Sequence, residues 1–398
     1  MAEVTKIEWA THSWSPWIGC SKVHTGCEHC YAEAMARRLG VTWGQHGTRK
    51  RTSNRYWKQP LKWERAESLL FHYGTWQRPR IFPSLCDPFE DREDLADLRR
   101  DFFDLIDRTP HLDWLLLTKR PENIGRMWPP RVLANDYPIL GWQRLGFPSN
   151  LLAEHEPQAQ LNHGQSLEQL RARGGLSAQE MLAVLEDRKY QPIEGGEAAA
   201  IDLLMPYRAK EMRHHPNVWL IYSASDQTTL EAGLPHLLEC RDLVPVLGLS
   251  LEPLVGPINL RLDDCWLPGD CHDLGDRLNW VIVGGESGPH ARPCDIDWIR
   301  SVVEQCAGAG VPCFVKQLGA IPVMDYYGEE GLRERCLESD GRVFEPTRDG
   351  WMQWDWERDK YQPRPGTVLE MPLRDPKGGN PTEWPADLQV RQFPGGAK

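Results

Sequence analysis

No apolar stretch of this sequence approaches the roughly 18–20 residues that a membrane helix needs, so no contact with a membrane is expected. The opening residues, MAEVTKIEWATHSW, lack the basic-then-apolar pattern of a secretory signal, and a cytoplasmic protein is expected. P-loop, Ser-His-Asp and H-E-x-x-H patterns are missing too, so those chemistries have no motif to rest on. Basic residues are in deficit, 46 Lys and Arg against 57 Asp and Glu, for a net charge of −11. That argues against a protein that coats nucleic acid without regard to sequence, because such binding rests on neutralising phosphates, but it does not exclude a local basic groove. A second C-x2-C pair is also lacking. Cys265 and Cys271, followed by His272, are spaced less suitably and read as loop cysteines with a weak metal alternative.

What is present begins with three of the eleven cysteines packed into one short segment, WIGCSKVHTGCEHCYAEAMARRLG. Cys20, Cys27 and Cys30 are spaced C-x6-C-x2-C. In a reducing compartment clustered cysteines serve as metal or catalytic ligands more often than as disulfides. A pair two residues apart aims both thiolates at one point, and the third is close enough for a single loop to supply all three. Gly19 and Gly26 give the loop freedom to bend. The helix expected from CYAEAMARRLG turns its N-terminus to the thiolates, where its dipole favours negative charge. Three readings follow. The cysteines are buried hydrophobes; or they hold Zn, with His24 or His29 completing a Cys3His site; or they hold three irons of a [4Fe–4S] cluster, leaving the fourth open to a cofactor.

Six short apolar runs each end in polar residues: PRIFPSLCD at Cys86 and Asp87, LDWLLLTKR at Lys119 and Arg120, NVWLIYSASD at Ser223 and Ser225, LVPVLGLSLEP at Glu252, LNWVIVGGESG at Gly284, Gly285 and Glu286, and GVPCFVKQ at Lys316 and Gln317. Such runs suit parallel strands covered on both faces. Helical segments lie between them: REDLADLRRDFFDLID, DQTTLEAGLPHLLEC with a cap at Asp226, and DIDWIRSVVEQCAGAG. The alternation predicts an α/β fold, a partial or complete parallel barrel, with functional groups at the C-terminal strand ends. The expected core is 1–128 with 217–320. Residues 129–216 read as a helical insertion, a lid or a partner-binding arm. Residues 321–398 read as an irregular Trp- and Pro-rich extension.

Seven basic residues, Arg49, Lys50, Arg51, Arg55, Lys58, Lys62 and Arg65, run against the single acid Glu64, with Tyr56, Trp57 and Trp63 among them. The pattern suits a single-stranded or flipped-base substrate, or a solvated basic loop tied down by aromatics. Lys119 and Arg120 form a cation pair suited to a phosphate or carboxylate; solvated loop cations are the alternative. Cys86 is either a hydrogen-atom donor or an inert core thiol, and the inert reading is favoured. Cys240, Cys294, Cys306, Cys313 and Cys336 read as structural.

The compact three-cysteine loop, Tyr31 beside its last cysteine, and the barrel pattern behind it resemble radical S-adenosylmethionine enzymes. More closely, the chain resembles the phage-type three-Cys-motif proteins, a radical-SAM-like family of unassigned function that is distantly similar to spore photoproduct lyase. The matching segments are WSPWIGCSKVHTGCEHCYAEAMARR, DWLLLTKRPENI, LSLEPLVGPINL, WVIVGGESGPHARPCDIDWIRSVVEQCAGAGVPCFVKQLG and EWPADLQVRQFP. They span most of the chain except the insertion. The resemblance implies a [4Fe–4S] cluster on Cys20, Cys27 and Cys30, and S-adenosylmethionine on the open iron. By their strand-end positions Ser225, Glu252, Gly284, Gly285 and Glu286 read as cofactor contacts, with salt bridges to Arg292 or Lys316 as the alternative for Glu252 and Glu286, and Lys119, Arg120 and Lys316 read as residues at the reacting substrate. The strand-end TK of spore photoproduct lyase is matched by Thr118 and Lys119, which points to a nucleotide or nucleic-acid substrate in modification or repair. A dedicated three-Cys-motif partner protein is implied as well. Two departures stand out: the first cysteine gap is six rather than three, and Gly284-Gly285-Glu286 lies on a late strand rather than an early one. Two other classes remain open, a zinc-stabilised nucleic-acid or partner-binding protein without redox chemistry, and an iron–sulfur electron-transfer or sensor protein.

Overall fold

A computed structural model describes residues 5–71, 78–129, 214–264, 266, 273–325, 343–347, 350–354, 368–371 and 373–396. The chain divides into two compact units, Met1–Met127 with Pro216–Lys398, and Trp128–His215. The expected helical insertion at 129–216 falls almost wholly outside the described residues. So do Cys265, Cys271, His272 and Cys336.

The first unit is built on a seven-stranded parallel sheet. Its strands are β1 (His12–Ser13), β4 (Arg80–Phe82), β5 (Asp113–Thr118), β6 (Val218–Ala224), β7 (Val246–Leu251), β8 (Trp280–Gly284) and β10 (Cys313–Gln317). They pair in sequence order, and the sheet curls into a half-barrel. The six expected apolar runs supply six of these strands. Every residue of β6, β7 and β8 is buried, as a doubly covered parallel sheet requires. The seventh, β1, has two residues, too few to show a period.

Side chains alternate along each strand. Phe82, Leu115, Trp219, Ile221, Val246, Trp280, Ile282 and Phe314 form one buried cluster, closed by Trp9 from the N-terminal segment and Phe393 from the tail. None of the described helices contributes to that cluster, so they cover the other face. Among them are α4 (Ala96–Asp107), α6 (Gln227–Leu238) and α8 (Ile296–Gly308). Asp226 caps α6 as expected, accepting from the Thr229 amide at 2.8 Å while the Thr229 hydroxyl accepts from the Asp226 amide at 3.1 Å. Asp295 caps α8.

The tail carries short strands. Strands β11 (Pro322–Asp325), β12 (Val343–Thr347), β13 (Gly350–Trp354) and β14 (Val368–Glu370) join β9 (Cys294–Asp295) in a second, five-stranded sheet. Further on, the Val315 amide donates to Val390 O at 2.8 Å and the Leu318 amide to Gly378 O at 2.9 Å. These bonds lay residues 378–392 along the open edge of β10.

Candidate active site

The strand ends converge. A cavity of about 530 Å³ is lined by Cys86 and Asp87 after β4, Lys119 and Arg120 after β5, Ser223 on β6, Glu252 after β7, Glu286 after β8, and Lys316 and Gln317 on β10. All three clustered cysteines line it too. Strand β2 (Trp17–Ile18) leads into Cys20 and pairs antiparallel with β3 (Lys50–Arg51). Helix α1 (Tyr31–Arg38) begins directly after Cys30, and the amides of Ala32 and Glu33 face the Cys30 sulfur, as the dipole argument anticipates.

Burial dominates the thiols. It pushes Cys20 up to about 12, with Asp87 adding to the effect and Arg120 opposing it. Cys30 is raised for the same reason. At neutral pH both are therefore thiols, and binding a metal centre there must release their protons. Burial lowers the Lys119 ammonium, while Cys27 and Cys30 are near enough to oppose that shift electrostatically. Among the described residues no group of three or more His, Cys, Asp or Glu side chains is arranged to hold a single metal ion.

Lys119 donates to Ser223 Oγ at 2.7 Å and to Glu252 O at 3.4 Å. Lys316 pairs with Glu252 at 2.8 Å. Glu286 is buried and receives three bonds from Arg292, at 2.8, 2.9 and 2.9 Å, with His29 Nδ1 3.2 Å away. Burial would raise this carboxyl, but the Arg292 bonds hold it below its ordinary range. Glu252 and Glu286 are thus engaged in the salt bridges that the sequence offered as their alternative role.

Arg120 departs furthest from expectation. It is neither a solvated cation nor one free for a phosphate. It is buried, and Nη1 donates to Asp87 Oδ2 at 2.7 Å and to Cys20 Sγ at 3.5 Å. Its Nη2 donates to Ser21 O at 2.7 Å and Ser21 Oγ at 2.9 Å. Ser21 Oγ in turn donates to Glu90 at 2.6 Å, and Glu90 is gripped by the buried Arg49 through two 2.6 Å bonds. Asp87 also accepts from the Thr118 hydroxyl at 2.7 Å and the Lys119 amide at 3.1 Å. This buried ionic chain clamps the start of the cysteine loop to the ends of β4 and β5. Glu90 and Arg49 carried no sequence signal for that task.

Ser225 and Gly284 do not line the cavity. Ser225 lies fully buried beneath Gly26, where a β-carbon would stand 1.9 Å from its hydroxyl. A β-carbon on Gly284 would be 2.9 Å from Gln317 O, and one on Gly285 2.3 Å from Leu318 O. The two glycines thus let the end of β8 lie against β10, a packing role, although Gly285 also reaches the cavity wall.

The family model described as a protein of unknown function, DUF5131, matches residues 4–348. The chain belongs to the DUF5131 family. No curated protein and no solved structure matches it. The matched span of this DUF5131 protein contains the cysteine loop and all six strand-end clusters. Three cavity-lining residues, Asp375, Lys377 and Gly379, lie beyond it on the tail. Nothing in the Trp- and Pro-rich composition of the tail marked them as wall residues.

Proposed function

We propose that this DUF5131 protein is a radical-SAM-like enzyme. Cys20, Cys27 and Cys30 would hold a [4Fe–4S] cluster with S-adenosylmethionine on its open iron, and the substrate is a nucleotide or nucleic acid undergoing modification or repair. One observation carries the reading: the three thiols of a single loop line the same cavity as the polar ends of the parallel strands. Barrel enzymes assemble their sites at those ends.

The donor set fits such a group. The three thiols are free, two of them are held protonated by burial, and the cations Lys119 and Arg120 lie beside them to balance thiolate charge. When bound, such a group would supply one-electron chemistry for cleaving S-adenosylmethionine and abstracting hydrogen from the substrate. The chain supplies the rest. Arg120 and Ser21 fix the first cysteine. The amides at the start of α1 stabilise charge on Cys30. The Glu252–Lys316 pair and the Lys119 ammonium present alternating charge where an amino acid moiety or a phosphate must be oriented. Residues 5–9 and 375–379 help wall the cavity from water. The protein is proposed to work in the cytoplasm, with the 129–216 insertion or the tail docking a three-Cys-motif partner.

Anaerobic purification tests the reading. About four irons and four sulfides per chain, and release of 5′-deoxyadenosine after dithionite and S-adenosylmethionine, are expected. A colourless protein with one zinc per chain would overturn it. A brown protein that leaves S-adenosylmethionine intact would reduce it to electron transfer or sensing.

A further inference from the structure

The basic segment at 49–65 has a second role that the cavity does not absorb. Its aromatics stack on neighbouring rings, while most of its cations are exposed. Tyr56 stacks on the buried Trp14, with ring centroids 5.7 Å apart and planes 10° from parallel. Trp57 meets the same ring edge-on at 5.3 Å, and Trp63 stacks on His12 at 4.1 Å. These contacts anchor the segment, and the faces they stack are closed to bases. Arg49 is buried against Glu90, and the one acid, Glu64, is taken by the His111 ring at 2.6 Å.

Six cations remain: Lys50, Arg51, Arg55, Lys58, Lys62 and Arg65, all exposed. Arg51 lies over Trp57, 4.4 Å from its centroid. Among the described residues none of Arg55, Lys58, Lys62 and Arg65 forms an ion pair. In a chain of net charge −11 this is an uncompensated positive surface. It is carried on α2 (Asn54–Trp57), α3 (Gln59–Phe71) and Lys58 between them, and the cations at 58, 62 and 65 recur about one turn, or roughly 5 Å, apart. A groove of about 320 Å³ is lined by two of these cations, Arg55 and Lys62, with Ser53, Tyr56, Gln59 and Trp63. The surface is tied to the cysteine loop, because Lys50 and Arg51 pair with Ile18 and Trp17, two and three residues before Cys20.

We infer that this groove binds the phosphate backbone of a single-stranded polynucleotide, so that the substrate is a residue within a strand rather than a free mononucleotide. The inference rests on the nucleotide reading above and names its substrate class. Regularly repeated cations with hydroxyl and amide donors between them match a chain of phosphodiesters. An isolated strand leaves its bases free to enter a cavity, at less cost than from a duplex. Binding is electrostatic, so it weakens steeply with salt and reads no sequence.

The test uses the full-length protein, fluorescein-labelled 12-residue oligo(dT) and oligo(U), and anisotropy between 25 and 200 mM salt (both about the range in which counterion release is measurable). Arg55→Glu with Lys62→Glu is expected to weaken binding at low salt by on the order of tenfold or more. It should also reduce the salt slope by about 1.4, roughly 0.7 for each phosphate of a single strand that is no longer neutralised. Both side chains are exposed, and an unchanged melting temperature confirms the fold. Absence of oligonucleotide binding, binding that the double variant leaves unchanged, or equal affinity for poly-glutamate or phosphatidylserine vesicles would overturn the inference. Iron content and 5′-deoxyadenosine release on the same preparation separate the two claims. An active cluster without strand binding sinks only the groove, and strand binding by a zinc protein sinks only the enzyme.

Discussion

Arg120 and Cys20 are one hundred positions apart in the chain, yet the arginine Nη1 stands 3.5 Å from the cysteine sulfur while also binding Asp87 at 2.7 Å. The arginine two residues past β5 is thus the fastener of the cysteine loop. Its other nitrogen holds both polar oxygens of Ser21, the very next residue.

Removing that fastener leaves a buried carboxylate unpaired. Arg120→Ala is expected to destabilise the first unit by about 3–5 kcal/mol, the usual cost of breaking a buried ion pair from one side. Arg120→Lys keeps the charge but not the two-nitrogen fork, so it should fall between Ala and wild type. Denaturant unfolding of the three proteins decides the point. A loss below about 0.5 kcal/mol in the alanine variant, the range of ordinary surface changes, would mean that the arginine is a surface cation after all.

Cys27→Ala should abolish iron and sulfide binding while leaving the far-ultraviolet circular dichroism in place, because the sheet core is formed by residues outside the loop. A variant with full iron and sulfide content would remove Cys27 from the ligand set.

Gly26 touches buried Ser225 so closely that an added methyl group has nowhere to go. Gly26→Ala should cost about 1–3 kcal/mol through overpacking. Pairing it with Ser225→Gly, which removes both the hydroxyl and the β-carbon, should recover much of that loss. The double-mutant cycle reads the coupling directly. Additive effects would show that the two residues do not press on one another.

Asp113 opens β5 and is buried, and this desolvation lifts its carboxyl to about 6 from an ordinary 3.8, against the opposing pull of Arg78. A raised carboxyl means that the folded state binds more protons than the unfolded state between those two values. Stability from this group is therefore present at low pH and is lost as pH rises through about 6. Asp113→Asn should remove that component, so the variant gains on the wild type between about pH 4 and pH 7. Unfolding midpoints measured at both ends of the window check the sign. A wild type that instead gains on the variant as pH rises would show that Arg78 outweighs burial.

Trp384 is 5% exposed, and its indole nitrogen donates to Gly378 O at 3.0 Å, the residue whose carbonyl receives the Leu318 amide. Trp384→Ala should cost about 3 kcal/mol or more. An unchanged melting temperature would show that the tail is dispensable to the fold.

Much of this was legible in local pattern. The six apolar runs are long enough to declare buried strands, and all six are strands of the sheet. The helix cap at Asp226 is local chemistry and falls where the sequence places it. The three cysteines line one cavity, as their spacing suggests, because residues within ten positions of each other on one loop need no fold to bring them together. What the sequence could not declare was which charges are spent. Arg120 and Arg55 look alike as strand-end and helix cations, yet one is buried in a chain of ion pairs and the other is exposed without an ion pair among the described residues. That difference is made by Asp87, Glu90 and Ser21, whose approach depends on the curl of the sheet. The two-residue strand β1 and the wall residues Asp375 and Lys377 were hidden for the same reason. Their roles come from pairing with distant chain, and burial and pairing are decided by the whole packed structure, whereas strand, helix and loop are written into a few neighbouring residues.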